Sequence, residues 1–225
     1  MNAGEAAGRA YTSPLRERQA RETRWLILRA AARLFAEHGY VATSITDIAQ
    51  EAGVGRATVS AAVGTKAVLL EQAFDTAIAG DDEPVPMTER APARAISEQT
   101  TGAGVLEAYA DHATAICARV AGLAEAVRGA AGADPDARAL WEASQELRHH
   151  AARMLVGNLV AVDHLRPGLD AATAADEVWV LNDATLYHAL VHQRGWSREG
   201  YRDWLGRTLR ERLLGPGSEG RPGGL

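Results

Sequence analysis

The twenty residues from Ile45 to Gly64, ITDIAQEAGVGRATVSAAVG, constrain this chain more than any other stretch. Counting from Ile45, a small residue (Ala49) stands fifth and a glycine (Gly53) ninth. Apolar residues fill the fourth, eighth, tenth, fifteenth and eighteenth places: Ile48, Ala52, Val54, Val59 and Ala62. Each has a steric reason. Ala49 lets a second helix approach closely, and Gly53 supplies the positive φ of a tight turn between two helices. The apolar positions form the small core that two steeply crossing helices share. Ser44 followed by Asp47 is a capping-box pattern that starts the first helix at Ile45. Gly53 ends it, and Gly55 can cap the next. The segment therefore reads as a helix-turn-helix between Ile45 and Val63.

That geometry assigns roles. The second helix of such a unit enters the major groove of DNA, and its N-terminal residues reach base edges. Here it runs over about Arg56–Ala62. Arg56 can contact a phosphate or pair bidentately with guanine, while Ala57 and Thr58 sit where a base or a thymine methyl is met. Ser60 lies on a similar face. Thr43 and Ser44, at the start of the preceding helix, are placed to donate to phosphate beside its free amides. Thr65 can cap a further helix that runs to about Ala79, and Lys66, which opens it, carries an ammonium toward the DNA backbone.

A net charge of −5 looks wrong for a nucleic-acid binder until the charge is located. From Arg9 to Arg33 there are seven arginines against two glutamates, a local +5. Phosphate neutralisation is local and screened beyond about 10 Å, so a basic face matters more than the average. The same arginines could equally solvate a helix face. Nearly every segment has helical periodicity: Ile27, Leu28, Ala31, Leu34 and Phe35 share one face of a helix over Glu22–Glu37, which Gly39 is placed to stop. Further helices are expected near Glu89–Gln99, over Ala103–Ala130, from the Asp134-Pro135 start to about Val162, over Ala171–Arg194 and over Ser197–Leu214. GDDEPVP (residues 80–86) reads as a linker. No period-2 strand emerges, and low aromatic content (5%) agrees with an all-α chain.

At this point a resemblance is visible. Ile27-Leu28, Ala30-Ala31, Leu34-Phe35, Gly39-Tyr40, Thr43-Ser44, Ile48-Ala49 and Ala52-Gly53-Val54, continuing through Thr58, Lys66 and Leu69, resemble the N-terminal domain of the TetR family of bacterial repressors, over about Arg24 to Leu70. The chain departs from the usual pattern in places. Family members commonly carry serine where Gly55 stands, tyrosine where Ser60 stands, and histidine–phenylalanine where Ala62-Val63 stand. The resemblance implies a homodimeric regulator, in the sense of a repressor, that binds a palindromic operator in double-stranded DNA and is released by a small-molecule effector. It also implies an all-α ligand-binding body whose last two helices form a four-helix dimer interface. The organisation expected is a flexible basic arm (1–20), a helix-turn-helix domain (21–80), a helical ligand-binding and dimerisation domain (87–214) and a disordered tail (215–225).

The body must be read from its own residues. Tyr201, Leu205, Leu209 and Leu213 recur every four residues, and Val178, Leu181, Leu186 and Leu190 mark the preceding helix. Such stripes serve either an internal core or a dimer interface. Polar or aromatic residues among apolar neighbours, namely Tyr109, His112, Cys117, Trp141, Trp179 and Asn182, with Tyr187 beside them, are candidates to line an effector pocket. His149-His150 and His188…His192 have metal-compatible spacing but lack a third convergent ligand, so no metal is expected. With one cysteine, no internal disulfide framework is possible. No nucleophile elbow, phosphate loop, dinucleotide fingerprint or paired Glu-x-x-His pattern occurs, so neither enzymatic activity nor a cofactor is expected. No apolar run approaches the roughly 18–20 residues of a membrane span, which points to a cytoplasmic protein without a membrane partner. The competing readings are a helical-bundle enzyme and a scaffold that never touches DNA.

Overall fold

One helix organises the chain. The computed structural model describes residues 14–214, and its elements are α1 (Pro14–His38), α2 (Ile45–Glu51), α3 (Arg56–Ala62), α4 (Lys66–Ala79), a short 3-10 turn (Met87–Glu89), α5 (Ala91–Ser97), α6 (Gly102–Ala130), α7 (Pro135–Val162), α8 (Ala171–Leu181), α9 (Ala184–Tyr187) with a π-helical extension (His188–Gln193), and α10 (Arg198–Leu213). No strand occurs among the described residues. Helix α6 is alanine- and valine-rich and buried on most of its circumference, and α1, α4, α5, α7, α9 and α10 all pack against it. Its apolar residues therefore form more than a single stripe: Val105, Leu106, Ala110, Val120, Leu123 and Val127 are all buried.

The head and the body share one core. Ile27, Phe35, Ile48 and Leu69 belong to the same apolar cluster as Leu106, Leu159 and Leu209. Helix α1 crosses α6 where Gly122 has no side chain; a Cβ there would lie 2.7 Å from that of Ala36. Two arginines strap the junction. Arg119 of α6 donates to the carbonyls of Ala77 (2.7 Å) and Ile78 (2.7 Å), satisfying the last turn of α4. Arg90 grips Asp81 at 2.7 Å and 3.0 Å and donates to Glu83 O, so the Gly80–Pro86 segment is a pinned loop.

Two expectations change, and a third, left open, is decided. Helix α1 begins at Pro14, within the stretch expected to be a flexible arm up to residue 20, because Pro14 opens it, Glu17 lies in its first turn and the following residues are good helix formers. Residues 1–13 and 215–225, to which the remainder of the arm and the expected tail belong, lie outside the described residues. The helix expected over Ala171–Arg194 is broken. Asn182 ends α8, and Asp183 takes an extended conformation whose carboxylate accepts from Thr185 N (2.8 Å), a bond that competes with helix continuation. The stripe Tyr201, Leu205, Leu209 and Leu213 is fully buried against the chain's own core, so it is not a free dimer surface. Apolar side chains are exposed instead on α7, at Leu147 (56%) and Met154 (49%), and on the adjoining α8, at Val180 (54%).

Replacing Gly122 by alanine should therefore lower unfolding free energy by about 1–3 kcal/mol through overpacking against α1. Gly129→Ala on the same helix meets nothing within 4 Å and should raise it by roughly 0.5–1 kcal/mol. Urea unfolding of the two variants tests the contrast.

Candidate nucleic-acid interface and body site

The head is built by local capping. Gly39 (φ 82°) ends α1, and the rings of Phe35 and Tyr40 then pack 5.6 Å apart beneath the turn. Ser44 caps α2 with a complete box: Asp47 N donates to Ser44 Oγ (3.2 Å), and Ser44 N donates to the Asp47 carboxylate (2.9 Å). Those bonds from Ser44 hold the Asp47 carboxyl below its ordinary range. Gly53 (φ 68°) makes the turn, and the amide of Val54 donates to Ala49 O (3.0 Å). Helix α3 follows with Gly55 as an extended N-cap, Val59 buried beneath it and Arg24 of α1 donating to Ala62 O (3.2 Å).

Outward, α3 presents Arg56, Ala57, Thr58 and Ser60, all exposed and without side-chain hydrogen bonds among the described residues. Ser44 is exposed beside them in sequence, at the α2 N-terminus. Thr43 is different. It is 2% exposed, and its hydroxyl donates inward to the carbonyls of Leu34 (3.1 Å) and Gly39 (2.9 Å). Its role is to join the end of α1 to α2, which corrects the expectation of a phosphate donor. Lys66 lies over the Tyr40 ring (4.4 Å) with Nζ donating to Val41 O at 3.4 Å. Partial burial pushes its ammonium below the ordinary lysine value, against the pull of Asp134. Of the basic run, Arg33 pairs with Glu37 (2.8 Å) and Glu51, whereas Arg16, Arg18, Arg21 and Arg29 are exposed.

In the body, four of the six candidate residues converge. Asn182 Nδ2 donates to Tyr109 Oη (2.6 Å), the Cys117 thiol lies 3.8 Å from Asn182 O, and Arg148, a residue that sequence reasoning passed over, joins them to Trp179. Its guanidinium donates to Asn182 Oδ1 (3.2 Å), Trp179 O (2.5 Å), Gln145 Oε1 (2.8 Å) and Asp183 Oδ2 (2.8 Å), and stacks on the Trp179 ring. Tyr201 closes the cluster, its ring 4.9 Å from Tyr187 and its hydroxyl facing Cys117. Burial raises the Tyr109 phenol and the Cys117 thiol to about 12, so both stay protonated. Arg148, Asp183 and Tyr201 were missed because one lies in a polar run, one read as helix interior and one as a stripe member. The adjacent pair Asn182-Asp183 inside an apolar helix was the available signal. His112 and Trp141 lie apart from this network. His112 lines a separate cleft of about 650 Å³ between the residue 79–95 segment and α6, where burial and then Arg119 push its imidazole down. Trp141 is half-buried against the core. Among the described residues no three potential metal ligands cluster.

Residues 27–73 match the family described as bacterial regulatory proteins, tetR family. Over these residues the head is similar to that family's DNA-binding domain. Over 84–86% of its length the chain shares its fold with solved regulators. One is a transcriptional regulator from Saccharomonospora viridis in complex with choline (TM-score 0.66, 20% identity, covering 86% of this chain and 98% of that one). Another is FadR from Bacillus subtilis in complex with stearoyl-CoA (TM-score 0.62, 18% identity, 84% and 97% covered). A third is NalD, the secondary repressor of the MexAB-OprM multidrug efflux pump in Pseudomonas aeruginosa (TM-score 0.55, 20% identity, 86% and 97% covered). No curated protein matches the chain. The tetR-like fold, all-α with an N-terminal helix-turn-helix, is thus the one expected, and no described helix is long and apolar enough to cross a membrane.

In this head, Thr43→Val should cost about 1–3 kcal/mol, because two buried carbonyls lose their donor. Arg56→Ala should stay within about 0.5 kcal/mol of the parent, as expected of a surface residue with no internal partner. Chemical denaturation monitored by circular dichroism separates the two roles.

Proposed function

We propose that the protein is a homodimeric, cytoplasmic transcriptional repressor that binds a palindromic operator through α3 and leaves it when a small molecule binds the body. The observation that carries the reading is the free outer face of α3 in a tetR-like head: Arg56, Ala57, Thr58 and Ser60 point away from the core that Val59 anchors. On this reading Arg56 and Thr58 meet base edges. Ser44 at the α2 N-terminus and Lys66 serve the backbone, with Arg16, Arg18 and Arg21 of α1 adding charge. Neither the competing enzyme nor the scaffold accounts for the exposed Arg56, Thr58 and Ser60, without internal partners among the described residues, on a turn-linked helix.

Two supports bear on the remaining parts. A seven-residue recognition helix buries little surface, so twofold partners are needed to address two half-sites about 34–36 Å apart. The exposed side chains of Leu147, Met154 and Val180 on α7 and α8 supply an apolar surface for the second copy. As for the effector, two regulators of the same fold were solved with small molecules, choline and stearoyl-CoA. Linkage then requires ligand and operator to weaken each other, typically by about 1–3 kcal/mol.

Two measurements test this reading. Binding to a palindromic fragment from the protein's own promoter region should fall steeply with salt, and Arg56→Ala should weaken it; Lys66→Ala should flatten the salt slope by about one, whereas Ser44→Ala, which removes no charge, should weaken binding and leave the slope unchanged. Unchanged binding by all three, or no sequence preference at all, contradicts the assignment and favours the scaffold. Separately, the double variant Leu147→Glu, Met154→Glu should sediment as a folded monomer where the parent sediments as a dimer.

A further inference from the structure

The buried cluster between α6, α7, α8 and α10 has a chemical polarity of its own. Three of its side-chain donors have no well-aligned partner among the described residues: the Tyr201 hydroxyl, which faces the Cys117 thiol, Trp179 Nε1 and Gln145 Nε2. Tyr201 is 0% exposed. Leaving donors unpaired in the interior is costly, and native cores seldom hold several together. They are also linked to one another, because Arg148 bonds Gln145, Asn182 and Trp179 O, while Asn182 bridges to Tyr109 and Cys117. The wall they share is interrupted: the helix breaks at Asn182-Asp183, and residues His188–Gln193 are wound as a π-helix. Such irregularities concentrate at functional sites.

Charge is balanced within the cluster. Arg148 and Asp183 pair at 2.8 Å at its rim, with side chains 21% and 23% exposed. A cation entering here would meet the resident guanidinium, which occupies the face of Trp179 at 5.4 Å. An anion would meet Asp183. A cation would find only donors, and an anion, although those donors could bond it, would sit beside the Asp183 carboxylate with Arg148 already neutralised; burying either charge costs more than burying a neutral group that is hydrogen-bonded. We propose that this cluster is the effector site and that it takes an uncharged molecule bearing hydrogen-bond-accepting oxygens beside an apolar or aromatic body, received by Tyr201 Oη, Gln145 Nε2 and Trp179 Nε1. Arg148 is the gate. Swinging it toward solvent uncovers the donors, and Asp183 follows at the hinge between α8 and α9. The inference rests on the reading of the body as effector-binding, but its chemistry is tested independently of DNA.

A matched series with one ring and three charges provides the probe: benzamide, benzoate and benzyltrimethylammonium, titrated into the full chain by calorimetry at up to millimolar concentration. Benzamide should bind more tightly than either charged analogue. Tyr201→Phe should weaken benzamide about tenfold, the loss of one hydrogen bond, with little change in melting temperature, since among the described residues that hydroxyl faces only the weakly accepting Cys117 thiol. Arg148→Met should invert the series in favour of benzyltrimethylammonium, because Asp183 and the Trp179 face become free. The proposal is overturned if a charged analogue binds the parent as tightly as benzamide, if benzamide does not bind, or if Tyr201→Phe changes nothing. If benzamide binds as described yet leaves operator binding untouched, the site's chemistry stands and the effector reading fails. If a charged effector releases the operator and Tyr201→Phe is indifferent to it, the effector reading stands and this inference fails.

Discussion

The close approach of α1 to α6 at Ala36 and Gly122 is the contact on which the rest of this architecture depends. It lets the head bury Ile27 and Phe35 in the same core as α6, so that head and body cannot tilt against one another without opening apolar surface. Arg119 reinforces the arrangement from the other side of the junction by capping α4, the helix that directly follows the DNA-facing unit. A movement of α6 by a fraction of an ångström would thus be transmitted to both helices that frame α2 and α3. Packed interfaces of this kind respond by switching between discrete arrangements rather than by bending continuously. The fold therefore offers a physical route between body and head that needs no long wire of side chains.

Helix α6 also forms one wall of the polar cluster, through Tyr109 and Cys117. A buried network whose donors are partly unpaired is a store of unfavourable free energy, roughly 1–3 kcal/mol for each orphaned group. That magnitude is comparable to typical coupling energies between sites. On the proposed reading, a group that satisfies those donors recovers the cost locally and offsets the displacement of Arg148 from the α8–α9 junction. On the proposed effector reading, the same residues that look like imperfections of packing distinguish two states of the body.

Much of this was legible in the sequence, for reasons that differ by region. The turn at Gly53 and the box at Ser44 and Asp47 were readable because local sterics and capping act within four residues. The ends of α6 and α7 were readable for the same reason, Asp134-Pro135 marking a start that chain geometry leaves little choice about. What escaped was non-local. Thr43 carries a side chain suited to phosphate, yet its hydroxyl turns inward because two carbonyls at the end of α1 need a donor. The stripe from Tyr201 to Leu213 has the same periodicity whether it faces its own core or a partner, and only packing against α6 decides. Arg148 sits among polar neighbours on a helix that looks solvated from sequence, and its partners lie 31 to 35 residues away. Position in sequence gives no hint of that convergence.

The departures in α3 acquire a physical meaning against this background. Where the family commonly carries a histidine–phenylalanine pair, Val63 is buried and Ala62 offers its carbonyl to Arg24, so these positions hold α3 to α1. Where a tyrosine is common, Ser60 leaves a short, exposed hydroxyl. On the proposed reading α3 thereby carries one large phosphate-reaching side chain, Arg56, while the first turns of α1 expose Arg16, Arg18 and Arg21. Phosphate attraction is long-ranged on the scale of a head, reaching about 10 Å at moderate salt, whereas base reading needs contact. A head can therefore move its electrostatic anchoring onto α1 and keep α3 small, provided α1 and α3 stay rigidly joined. The Arg24–Ala62 bond and the shared core beneath Val59 and Val63 are what provide that rigidity.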